Sequence, residues 1–317
     1  MDIKTFIYRL KYRYGKHLPL TVPVDVSLEL SSICNMGCSY CYHSNPKELP
    51  FTLGHMPLEI AKKIIRESAA IGVNSIKFNW KGEGTLHPDY RNILTMAKGF
   101  ASGSTFIDRL ANSNFKISPK RRDDIFEGLA QLTKVKISYD SFDEKVFQAQ
   151  RTGGIHSLTT KNIDLFYNHK ARIKSETKMV IQAVRTSLNA NEDIKGICKK
   201  RWPEAQVSIR DMVAGRVDND LDSMELKERS IERQSCQQAH VRLIFNKGGI
   251  AFPCCPDVAE KLGIGSIERL SVYQLFNALP VKWLRQDLKT GEAFKRNTCK
   301  NCSSFESYKN YKPVWNS

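Results

Sequence analysis

Residues 24–41 read VDVSLELSSICNMGCSYC. Val24, Val26, Leu28 and Leu30 alternate with Asp25, Ser27 and Glu29, the period of two that marks a strand with one apolar and one polar face. The loop that follows carries Cys34, Cys38 and Cys41, spaced by three and by two residues. Beyond it the pattern of strand then helix repeats. A helix has Pro57 in its first turn, Ile60, Ile64 and Ile65 on one face, and Gly72 at its end. A strand over 73–80 precedes a Pro-initiated helix near Pro88 that carries Ile93, Leu94 and Ala97. Strands around 105–111, 134–140, 178–186 and 206–212 alternate with a helix opened by Ser118-Pro119, helical stretches to about Tyr167, and a helix over 191–202. Six such units predict an α/β fold with a parallel sheet, a partial (β/α)6 TIM-like barrel rather than the full eight.

The rest of the chain reads differently. Residues 216–235 form a charged break and are expected to link the barrel, residues 20–215, to a small α+β domain over 236–317. There, 241–245 and 250–252 flank the turn Asn246-Lys247-Gly248-Gly249 as a hairpin, followed by short helices and a Cys-x-x-Cys. A domain this small calls for a metal staple. Residues 1–19 read as a basic helix: Ile3, Phe6, Ile7, Leu10 and Tyr14 keep helical spacing, with Lys4, Arg9, Lys11, Arg13 and Lys16 on the other faces. That helix is expected to cap the bottom of the barrel with its basic face in solvent; phosphate contact and a membrane-surface role are the other readings.

Composition narrows the function. The 317 residues are 41% hydrophobic, which excludes collagen, low-complexity disorder and coiled coil. No stretch is long and apolar enough to span a membrane, and the start lacks a signal-peptide core, so a cytoplasmic protein is expected. Nine cysteines under reducing conditions read as metal ligands where they cluster. A net charge of +16 suggests a polyanionic partner.

Three thiolates at the 34–41 spacing can hold three irons of a [4Fe–4S] cube and leave the fourth open; a zinc site is the other reading. At these residues the sequence resembles the radical S-adenosylmethionine (SAM) superfamily, whose signature is CxxxCxΦC with an aromatic at Φ, here Tyr40. The resemblance implies that Cys34, Cys38 and Cys41 hold a SAM-binding cluster and that Tyr40 packs beside the adenine. It further implies that Gly82 and Glu83, in Trp80-Lys81-Gly82-Glu83-Gly84, bind the amino group of the SAM methionine. Lys81 stands where the family's first glycine usually lies. Ser138 and Asp140 match the ribose-contacting segment, Arg151-Thr-Gly-Gly154 matches another recurrent stretch, and Arg210 is a candidate for the SAM carboxylate.

Cys236, Cys254, Cys299 and Cys302, with Gly249 in the hairpin, resemble the SPASM and twitch domains of the same superfamily. With no cysteine after Cys302, the shorter twitch type fits, implying one auxiliary [4Fe–4S] cluster; four thiolates also suit zinc. Cys255 is either a hydrogen donor to the substrate or a packed thiol, and Cys198 reads as core. The cofactors implied are therefore SAM and two [4Fe–4S] clusters, with an external one-electron donor of flavodoxin or ferredoxin type.

The charge points to DNA or RNA as the polyanionic substrate. Basic runs at 120–122 and 199–201, and a tail where Phe305, Tyr308, Tyr311 and Trp315 interleave with Lys309 and Lys312, supply cations and stacking faces. The expected reaction is rearrangement, isomerisation or oxidation of a nucleic-acid base or nucleotide-linked group. The alternatives are epimerisation or dehydrogenation of a ribosomal peptide or an amino sugar, and, from another class, a non-enzymatic Zn or Fe–S nucleic-acid-binding protein.

Overall fold

The computed structural model describes residues 2–211, 236–295, 297–300 and 302; the expected linker at 216–235 and the tail beyond residue 302 lie outside them. The described strands are β1 (Asp25–Leu28), β2 (Ser75–Lys77), β3 (Asp108–Ser113), β4 (Lys134–Ser138), β5 (Lys178–Arg185), β6 (Gln206–Asp211), β7 (Arg242–Phe245), β8 (Ile250–Phe252) and β9 (Gly265–Ser266). They form one sheet in the order β6-β5-β4-β3-β2-β1-β7-β8-β9. Strands β1 to β6 run parallel, as the six-unit reading requires, and the sheet stays open. The hairpin β7–β8 was expected in a separate unit. Its first strand instead extends the barrel sheet, pairing parallel with β1 from Asp25↔Arg242 to Leu28↔Phe245.

The helices are α1 (Ile3–Tyr14), α2 (Leu58–Ala70), α3 (Tyr90–Gly99), α4 (Arg122–Leu129), α5 (Glu144–Gln150), α6 (His156–Arg172), α7 (Ile194–Arg201), α8 (Gln238–Val241), α9 (Val272–Phe276), α10 (Leu279–Thr290) and α11 (Asn297–Lys300). Helix α2 ends where Gly72 turns the chain at φ +74°, a conformation that a side chain would strain. Alternate strand residues, among them Val26, Leu28, Ile76, Val135, Ile137 and Ile181, are fully buried in one core with Ile64, Ile65, Ile93, Leu94 and Phe166 of the helices. Cys198 lies in that core too. Removing this apolar surface from water is the main force that holds the helices on the sheet. The intervening residues face the other way: Asp25 and Ser27 on β1 and Glu29 just past its end, all buried.

Polar burial on that inner face is paired. Asp25 lies 2.6 Å from Lys77 Nζ and 3.0 Å from Arg242 Nε, and accepts from Ser75 Oγ at 2.9 Å. Burial pushes its carboxyl up, and Lys77 with Arg242 outweighs that, so its pKa is lowered. Helix α1 does sit against the barrel bottom, but with the opposite face from the one its apolar spacing suggests. Tyr8 is buried, its hydroxyl donating to Asp108 at 3.3 Å, and Lys77 lies over the Tyr12 ring at 5.5 Å. A polar barrel floor takes up tyrosines with hydroxyl tips better than it would aliphatic side chains.

Candidate radical SAM site

The 34–41 loop leaves the carboxyl end of β1 and is pinned by backbone bonds from Gly37 N to Thr152 O (2.9 Å) and from Ser39 N to Gln150 O (3.0 Å). Lys116 Nζ donates to Asn35 O at 3.0 Å and to Gly153 O at 2.7 Å, tying the loop to the Arg151-Thr-Gly-Gly154 turn. The three thiols share one electrostatic neighbourhood. Burial pushes Cys34 up to about 12, with Glu83, Cys38 and Cys41 adding negative charge; burial also raises Cys38, partly offset by Arg151. Two donors point at these sulfurs: Asn114 Nδ2 lies 3.9 Å from Cys34 Sγ, and Arg151 Nη1 lies 3.8 Å from Cys38 Sγ. Hydrogen bonds to thiolate sulfur are one of the means by which a protein tunes an iron–sulfur centre, and this donor set fits one.

Beyond β2, the 80–84 segment packs on the residues that precede Cys34. Glu83 N donates to Ile33 O at 2.9 Å. A Cβ added at Gly82 would lie 2.5 Å from the carbonyl oxygens of Ser31 and Ile33, so only glycine permits this approach. Lys81, in the place of the family's first glycine, is buried. Its ammonium lies 4.2 Å from the Trp80 ring centre and 4.3 Å from that of Phe51, 3.5 Å from Glu29, and paired with Glu260. Glu83 is buried, accepting from Thr85 Oγ1 at 2.7 Å and from Asn114 N at 2.7 Å; burial raises its pKa against those bonds.

After β4, Asp140 is fully buried and gathers the third side of the site. It accepts from the Tyr40 hydroxyl, from Arg151 Nη2 at 3.1 Å and from Val184 N at 2.9 Å. Cys34, Cys38, Tyr40, Gly82, Glu83 and Asp140 therefore converge at the carboxyl ends of β1, β2 and β4. Ser138, at the end of β4, pairs in register with Gln182 of β5, and Arg210 is exposed near the end of β6, close enough to Lys136 to repel its charge. Sequence reasoning gave no role to Asn114, which lies in no motif, and quoted Arg151 only within a recurrent stretch.

Cys236, Cys254, Cys299 and Cys302 line one cavity with Leu262, Leu284 and Leu288. Burial and the neighbouring sulfurs raise Cys254, and burial takes Cys236 up to about 12. Among the described residues, no three His, Cys, Asp or Glu side chains converge closely enough for a single metal ion. A zinc ion needs its sulfurs about 2.3 Å from one point. Cys255 borders that lining through Gln238 (4.0 Å), its Sγ accepting from Arg242 Nη1 at 3.2 Å and its carbonyl from Trp80 Nε1 at 2.8 Å.

Solved structures with this architecture include BtrN in complex with AdoMet and 2-DOIA (17% identity, TM-score 0.57, 89% of this chain and 93% of that one). Another is native anSMEcpe with AdoMet and the Cp18Cys peptide (16%, TM-score 0.60, 89% and 86%). A third is Streptococcus suis SuiB bound to the precursor peptide SuiA (14%, TM-score 0.57, 96% and 74%). The chain has the radical SAM fold. No family model matches it. Curated relatives include the PqqA peptide cyclases of Bradyrhizobium diazoefficiens and Rhodopseudomonas palustris, each 28% identical over 144 residues, 45% of this chain. The match spans 35% of each relative's length.

These radical SAM relatives overturn the expected DNA or RNA substrate: those whose names state a substrate class name peptides, PqqA and SuiA. Four of the cations are also internal to the fold, held against carboxylates and not presented to a partner. Lys77 and Arg242 serve Asp25, Lys81 serves Glu29 and Glu260, and Arg151 serves Asp140. The basic aromatic tail invoked for stacking lies outside the described residues. No described helix is long and apolar enough to cross a membrane.

Proposed function

We propose that this protein is a radical SAM enzyme that modifies a peptide, with a SAM-binding [4Fe–4S] cluster on Cys34, Cys38 and Cys41 and an auxiliary [4Fe–4S] cluster on Cys236, Cys254, Cys299 and Cys302. The observation that carries it is the convergence of the three-cysteine loop, Gly82-Glu83 and Asp140 at one end of the parallel sheet, where barrels of this kind hold their sites. When bound, these groups supply reductive cleavage of SAM to a 5′-deoxyadenosyl radical that abstracts hydrogen from a substrate carbon. The chain's own residues position and shield. Asp140 fixes the Tyr40 ring through its hydroxyl, and Arg151 and Asn114 hold the sulfurs. Glu83, held by donors from Thr85, Ser113 and Asn114, is offered to the amino group of SAM. Ser138 and Arg210 are offered to the ribose and the carboxylate of SAM.

The peptide half of the proposal rests on the relatives named above. A non-peptide substrate is the second reading, favoured by the match that spans 93% of BtrN, whose complex holds 2-DOIA. Anaerobic reconstitution is expected to give about eight irons per chain. The Cys34→Ala/Cys38→Ala/Cys41→Ala variant is expected to keep about four and to form no 5′-deoxyadenosine with reductant and SAM. Stoichiometric zinc with little iron would overturn the cluster reading. Mass spectrometry of candidate peptides beside amino sugars tests the substrate: a mass change confined to the sugars retains the radical chemistry and removes the peptide.

A further inference from the structure

Helix α1 leaves its apolar stripe outside. Ile3, Phe6, Ile7, Leu10 and Tyr14 are 73%, 47%, 46%, 39% and 44% exposed. At 100° per residue these five fall within one third of the helix circumference. Lys4 and Lys11 fall on one flank of that stripe and Arg13 on the other. The back of the helix is committed to the barrel by Tyr8 on Asp108, by Tyr12 beneath Lys77, and by Gln237, which receives Lys16 N at 3.2 Å. Asp2 caps the helix start, accepting from Thr5 N at 3.0 Å. Rolling the stripe inward would break the contacts to Asp108, Lys77 and Gln237, so the apolar face is fixed pointing away from the core.

We propose that this face of α1 docks on an anionic lipid surface, the helix lying in the plane of the bilayer interface with Ile3, Phe6, Ile7, Leu10 and Tyr14 inserted and Lys4, Lys11 and Arg13 at headgroup level. An apolar stripe rimmed on both sides by cations is the signature of an interfacial helix. Charge selects this occupant. A second copy of the same stripe would bring two cationic rims together, which like-charge juxtaposition penalises. One face of a 12-residue helix, about 18 Å long and about 10–12 Å across, offers on the order of 200 Å², well short of the roughly 800 Å² per partner of a standard interface. Docking through α1 sets the amino-terminal side of the sheet toward the membrane and leaves the cysteine loop, at the carboxyl ends of the strands, facing away. It also gives part of the +16 charge a partner that does not enter the reaction.

The test is co-sedimentation of the full chain with vesicles of phosphatidylcholine, with and without phosphatidylglycerol. The wild type is expected to pellet with the phosphatidylglycerol vesicles at low salt and to be released by high salt. Lys11→Gln and Arg13→Gln are each expected to weaken binding roughly fivefold. Phe6→Glu/Ile7→Glu is expected to abolish it with circular dichroism and Tm unchanged, because both side chains are exposed. A wild type that stays in the supernatant overturns the proposal. So does a doubly substituted protein that still pellets, or a wild-type dimer that this substitution converts to monomer.

Discussion

Lys136 stands on the inner face of β4, where the strand's alternation turns Val135 and Ile137 to the helices and Lys136 to the barrel. Burial pushes its pKa down to about 7, and Arg210, Lys77 and Lys134 push it the same way, against the opposing charge of Asp108. Below about pH 7 the ammonium is charged in both folded and unfolded chains, and the full penalty of burying it is present. Between there and the ordinary lysine value the folded chain sheds the proton that the unfolded chain keeps, so stability rises with pH across that window. Lys136→Met is expected to raise Tm at pH 6.5 and to flatten the rise between about pH 7 and 10. Thermal melts across that range check it. An unchanged slope would mean that the ammonium is solvated where it stands.

At the scale of elements, the strands were legible because alternation and Pro or Gly punctuation act locally. Val26, Leu28 and Leu30 are fully buried on the core face, and α2 and α3 begin just after Pro57 and Pro88. The orientation of α1 was not legible. Periodicity identifies an apolar face, but only the neighbours decide whether that face is buried, and here the barrel floor is ionic. The join of β7 to β1 was equally hidden, since nothing local distinguishes a strand that starts a new sheet from one that extends an old sheet. In the site, cysteine spacing carried the reading of the 34–41 loop, whereas Asn114 reaches Cys34 from 80 residues away with no motif of its own. The requirement for Gly82 is now physical: two loops approach more closely than a methyl group permits, with Glu83 N bonded to Ile33 O. Gly82→Ala is expected to cost about 1–3 kcal/mol by overpacking and to push Ser31–Ile33 out of register with Glu83. Urea unfolding measures the first effect. Weaker SAM binding at unchanged iron content measures the second, and a variant equal to wild type in both would show that the approach is not needed.

Across the whole molecule, β1 is the seam, with β2 on one side and β7 from the far end of the chain on the other. Asp25 is common to both: it is fully buried, bonded to Lys77 from β2 and to Arg242 from β7. Arg242 extends the same network to Cys255, next to Cys254 of the four-cysteine cavity, so the seam connects the barrel floor with that cavity. Because cations outweigh burial at Asp25, its contribution to stability is full above the ordinary carboxylate value and is lost as pH falls from there through the lowered folded value. Removing one member of a buried pair leaves its partner uncompensated, a cost of about 3–5 kcal/mol. Arg242→Met, which keeps much of the side-chain volume, is expected to lower the urea midpoint accordingly. Lys77 remains as a single counter-charge, which places the loss toward the lower end of that range. Asp25→Asn in the Arg242→Met background is expected to recover part of the loss, since the orphaned charge is then gone. If Arg242→Met unfolds at the wild-type midpoint, β7 is held to β1 by its backbone ladder and by Leu243 and Phe245 in the core, and the ion pair contributes nothing to the seam.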